Sequence, residues 1–110
     1  MARVIVAEPA RQDLAHLVRS HSLPDSTRDH VRRTIGPLAA FPLLGPALGG
    51  RWDGFRFILG PWVWMLIVYV YDEEADLVIV ATIGDARSGT SPRSVRRLQP
   101  DPGDEAEGRP

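Results

Sequence analysis

The sequence contains no cysteine, which excludes disulfides and thiolate metal sites. Lysine is also absent: all thirteen basic residues are arginine. No apolar run approaches the roughly 20 residues needed to cross a bilayer. The longest, Trp62–Tyr71, has ten. The N-terminal Met-Ala-Arg-Val-Ile-Val-Ala-Glu lacks a long apolar segment, so no signal peptide is expected and a soluble cytoplasmic protein is the default. Neither sign of charge is in large excess, with a formal net charge of −1. That balance conceals an asymmetry. Residues 101–110 carry four acids and one arginine, while residues 1–100 carry twelve arginines and ten acids. The folded part is thus mildly basic and the end acidic. Arginine suits phosphate and carboxylate because its planar fork bonds bidentately, but so small an excess is weak evidence for nucleic acid. His16, His21 and His30 fall on or beside the expected helices. The spacing of His16 and His21 matches no recognised metal pattern, so neither a metal nor a cofactor is expected.

What is present organises a single domain. The 110 residues, 44% of them hydrophobic, suffice for one core. Trp62–Tyr71 (Trp-Val-Trp-Met-Leu-Ile-Val-Tyr-Val-Tyr) has no charge, glycine or proline. Its aromatic and β-branched content reads as a central strand, apolar on both faces. Arg3–Ala7 reads as a first strand, broken by Glu8-Pro9. Ala10, Leu14, Leu17 and Val18 recur at helical spacing, predicting a helix over residues 9–20. After a short break at His21–Pro24, Asp25 or Ser26 caps a second helix with Val31, Ile35 and Leu38 on one stripe. Gly36-Pro37 ends that helix near Ile35 or kinks it toward Ala40. Phe41–Gly50 reads as a loop, Gly54–Leu59 as a second strand and Asp72–Asp76 as an acidic turn. Leu77–Ile83 reads as a fourth strand, with Leu77, Ile79, Ala81 and Ile83 on one face and Val78, Val80 and Thr82 on the other. The fold class is α+β, two layers in the order β-α-α-β-β-β, with a helical hairpin packed on a mainly antiparallel four-stranded sheet.

These residues resemble the RelE/ParE superfamily of bacterial toxins, the toxin half of type II toxin–antitoxin pairs. The likeness covers about residues 3–87. It runs from Val-Ile-Val-Ala-Glu-Pro-Ala-Arg-Gln-Asp-Leu (4–14) through Leu38 and Phe41-Pro-Leu-Leu-Gly45 to Gly54-Phe-Arg-Phe-Ile58 and Val68-Tyr69. The resemblance implies a toxin domain over residues 1–90. Residues 91–110 form a basic, then acidic, tail that reads as disordered. It also implies a cognate antitoxin and one of two targets: messenger RNA on the ribosome, which RelE-like members cleave, or DNA gyrase, which ParE-like members poison.

Cleavage through the ribose 2′-hydroxyl needs an activated nucleophile, charge stabilisation on phosphate and a proton for the leaving oxygen. By resemblance, Arg56 matches the arginine of the second strand. Asp85 stands near the family's strand-end histidine, with Arg87 close by. The second arginine, the histidine and the C-terminal tyrosine of the RelE pattern have no counterpart. Arg56 and Arg87 are the candidate catalytic pair, but arginine is protonated at all working pH values and is a poor acid or base. The expectation is therefore a ParE-like toxin that inhibits growth by binding gyrase. A RelE-like ribonuclease, or an inactive relative that binds only an antitoxin, is the alternative. Trp62 and Trp64, expected to share a strand face, are candidate partner anchors, as is the basic cluster Arg93, Arg96 and Arg97. The helices can cover only one face of so apolar a sheet. An antitoxin segment or a second copy of the chain is expected on the other.

Overall fold

A computed structural model describes residues 1–87. The expected tail, with Arg93, Arg96 and Arg97, lies outside the described residues. Glu8 and Pro9 end β1 (Arg3–Val6) and open α1 (Glu8–Ser20). Proline fits this first turn because its missing N–H would have found no partner there. Ala10, Leu14 and Leu17 are buried along the helix, as the apolar spacing predicts. Ser22, at φ 52°, turns the chain. The second helix, α2 (Thr27–Ile35), buries Thr27, Val31 and Ile35 at intervals of four. It ends at Ile35, and a 3-10 turn over Gly36–Ala39 carries Leu38 into the core. Both alternatives raised by Gly36-Pro37 are thus partly realised.

Three strands follow: β2 (Phe55–Leu59), β3 (Met65–Asp72) and β4 (Leu77–Asp85). The sheet order is β1-β4-β3-β2, with β1 parallel to β4 and the other neighbours antiparallel. In the β3–β4 turn, the carboxylate of Asp72 accepts the backbone N–H groups of Glu74 and Ala75. The helices cover one sheet face, closing a core of Leu14, Leu17, Val31, Ile35, Leu38, Met65, Ile67, Tyr69, Val78, Val80 and Ile83. No helix of the described residues is long and apolar enough to cross a membrane.

The structure corrects three expectations. Trp62 and Trp64 are not in the central strand, which begins at Met65. They occupy the turn before it, where the N–H of Met65 donates to the Trp62 carbonyl at 2.9 Å. The two faces of β4 do not alternate throughout. The pairing of β3 with β4 steps from Val68↔Thr82 to Tyr69↔Val80, leaving Ala81 as an extra residue. This β-bulge puts Ile83 on the core face with Val78 and Val80. Finally, the sheet face away from the helices is covered in part by the chain itself. Leu66 and Val68 pack there with Leu48, Trp52, Phe55 and Phe57. The loop before β2 lies along its edge through an Ala47–Arg56 bridge.

Candidate functional site

Downstream of the bulge, Asp85 stands opposite Met65 and shares its face of the sheet, toward the helices. There it meets His21, the first residue after α1. The His21 Nε2 lies 2.9 Å from an Asp85 carboxylate oxygen. The Asp85 side chain is 2% exposed and that of His21 24%. The other ring nitrogen, Nδ1, is 2.9 Å from the hydroxyl of exposed Ser20.

Arg87 completes the group. Its backbone N–H donates to Asp85 at 2.9 Å, and its guanidinium forms two longer contacts of 3.4 Å with the same carboxylate. Burial pushes the Asp85 carboxyl up, but hydrogen bonds from Arg87 and His21, with the nearby positive charge of Arg87, outweigh it and hold the group below the ordinary carboxylate range. The Arg87 guanidinium also lies 4.7 Å from the Trp64 ring centroid, a cation–π contact. Its side chain remains 60% exposed.

Trp64 belongs to a row of four stacked rings. His21 and Trp64 have centroids 4.9 Å apart and planes inclined by 14°. Trp64 and Trp62 follow at 6.3 Å, then Trp62 and His30 of α2 at 6.0 Å. The two tryptophans do pack against the helical layer, as the sequence suggests, and both are partly buried against the core. Between two histidines and a core, each keeps only part of its surface exposed.

Arg56 is not part of this group. It pairs with Tyr69 across β2 and β3, five residues from Trp64, or roughly 17 Å along the strand. Its guanidinium donates to the carbonyl of Gly45 at 2.7 Å and holds the loop before β2. It lines a cleft of about 380 Å³ with Asp72, Glu73 and Glu74, where an anion would meet three carboxylates. Thus the two expected catalytic arginines are not brought together. What sequence reasoning missed is the His21–Asp85 contact, between residues 64 positions apart. The one signal was Asp85 itself, an acid closing an otherwise apolar strand. Among the described residues, no group of three or more His, Cys, Asp or Glu is placed to hold a metal ion.

A second feature is a cleft of about 170 Å³ between the helices. Leu14, Val31 and Ile35 contribute its apolar lining, and Arg11, Arg28 and Arg32 line it as well. Arg32 is paired with Asp29 at 2.8 Å, an exposed i,i+3 contact.

No family model matches the sequence, and no curated protein matches it significantly. Solved structures do match. The RelBE2 toxin–antitoxin complex of Mycobacterium tuberculosis has a chain that is 23% identical, with 76% of this chain and 96% of that one covered and a TM-score of 0.57. A metal-bound toxin from Helicobacter pylori is 20% identical, with 79% and 97% covered and a TM-score of 0.59. The isolated RelE toxin of Escherichia coli is 18% identical, with 89% and 99% covered and a TM-score of 0.58. At these identities the likeness is one of architecture: the chain has the fold of the RelE toxins.

Proposed function

We propose that this protein is the toxin of a bacterial type II toxin–antitoxin pair and that it acts on RNA as a RelE-like toxin. The observation that carries the RNA reading is Arg87. An exposed guanidinium stacked on an indole beside a histidine is a local arrangement suited to a phosphate and its neighbouring bases. A poison that works only by binding gyrase needs no such group. The gyrase reading rests on the absence of the RelE pattern's histidine, tyrosine and second arginine, and His21 offers an imidazole beside Asp85 and Arg87. The architecture shared with RelE toxins supports the same choice.

A cognate antitoxin is the natural partner. The apolar cleft between α1 and α2, lined by Arg11, Arg28 and Arg32, suits an amphipathic segment carrying acidic residues.

The test is induction of the protein in a bacterium lacking the antitoxin, with growth, the DNA-damage response and messenger ends scored together. Growth arrest with cleavage at positions set by the reading frame is expected. Arrest with DNA damage and intact messages would transfer the protein to the gyrase class. Normal growth while folded protein accumulates would remove the toxin reading altogether.

A further inference from the structure

We propose that His21 is the proton acceptor of this RNA-cleaving site, with Asp85 as its positioning residue and Nδ1 as the atom that meets the ribose 2′-hydroxyl. The proposal rests on the RNA reading above and supplies the base that Arg87 cannot be.

The geometry determines which nitrogen is free. A carboxylate taken out of water is costly unless it is paired and hydrogen-bonded. Asp85 is paired on both oxygens, by His21 on one side and the Arg87 backbone on the other. An ionised carboxylate only accepts, so Nε2 of His21 carries the proton and donates it to Asp85. The lone pair of the neutral ring is then on Nδ1. Stacking on Trp64 fixes the plane of the ring. The hydrogen-bond partner found for Nδ1 is the hydroxyl of exposed Ser20, at 2.9 Å. A ribose hydroxyl presents the same donor and takes that place at small cost, since Ser20 can turn to water. Arg87, joined to the same carboxylate, keeps its free donors for the phosphate.

The step balances without a further reactant. Nδ1 takes the 2′-hydroxyl proton as the 2′-oxygen bonds to phosphorus. The bond from phosphorus to the 5′-oxygen breaks, its electron pair leaves on that oxygen, and water supplies the proton there. The products are a 2′,3′-cyclic phosphate and a 5′-hydroxyl. The imidazolium then returns its proton to water.

The test uses the full-length protein and ribosomes programmed with a messenger, measuring single-turnover cleavage by wild type, His21→Gly and Asp85→Asn. Circular dichroism confirms that each variant is folded. A general base contributes about 10²–10⁴ in rate, so His21→Gly is expected to lose at least about 100-fold and to regain rate as imidazole is added. Asp85→Asn is expected to lose rate without recovery by imidazole. The ring-nitrogen shifts of its His21, read by NMR, should leave the pattern of an Nε2–H tautomer. If wild type cleaves and His21→Gly cleaves equally well, this inference falls and the RNA reading stands. A wild-type protein that leaves the messenger intact overturns both. Products ending in a 3′-hydroxyl and a 5′-phosphate also overturn the proposed step.

Discussion

Tyr69 is wholly buried, and its phenol tolerates that position because the N–H of Gly45 donates to it at 2.9 Å. Gly45 has no room for a side chain, since a Cβ there would lie 2.0 Å from the carbonyl oxygen of Phe57. Tyr69→Phe leaves a buried donor without an acceptor and is expected to cost about 1–3 kcal/mol in urea unfolding. Gly45→Ala forces the loop off β2 and is expected to cost about as much through overpacking. Because the two residues share one contact, the double variant should cost less than the sum. Asp85 gives a prediction in pH. Its folded pKa is depressed below the ordinary 3.8, so the unfolded chain holds the proton more tightly. The stability this adds is present above that value and is lost as pH falls through the lower folded value. Wild type should therefore lose stability through this acid range. Asp85→Asn, less stable at neutral pH, should have a flatter profile there.

Among the elements, β4 shows both what could be read in the sequence and what could not. Its apolar residues announced a strand, and the acidic turn before it announced a hairpin. The break in alternation was not legible, because Ala81 and Thr82 are compatible with either face. Only the register against β3 reveals the extra residue. Strict alternation groups Ile83 with Leu77 and Ile79 instead of with Val78 and Val80, and the contact of Asp85 to His21 has no local signature. The start of β3 failed for a different reason: Trp62 and Trp64 have high strand propensity, yet their packing with His21 and His30 holds them in a turn. Asp13 of α1 is an acid near the positive N-terminal end of its helix. It also accepts hydrogen bonds from the Thr82 hydroxyl at 2.7 Å and the Ile83 N–H at 3.2 Å, beyond the stretch of β4 paired with β1. Asp13→Ala is expected to cost about 1–3 kcal/mol, with hydrogen exchange quickening at the Ile83 amide before it does at Ile67.

On the scale of the whole molecule, the two candidate surfaces are chemically distinct. One is the strand-end group of His21, Asp85 and Arg87. The other is the interhelical cleft lined by Arg11, Arg28 and Arg32. If the cleft serves the antitoxin and the strand end serves RNA, charge reversal should separate the two. Arg28→Glu combined with Arg32→Glu changes exposed positions outside the core, so melting temperature and growth arrest should be retained. Protection by a co-expressed acidic antitoxin should be lost, as scored by colony formation.

The bulge at Ala81 also has a genetic meaning. Removing that one codon would pair β3 with β4 residue for residue and leave Ile83 and Asp85 on the core face, two and four residues after Val80 in the shortened chain. A three-nucleotide deletion there, preserving the reading frame and every chemical group named at the strand end, should therefore leave the gene armed, whereas the same deletion at Thr82, Ile83 or Gly84 would remove a paired residue.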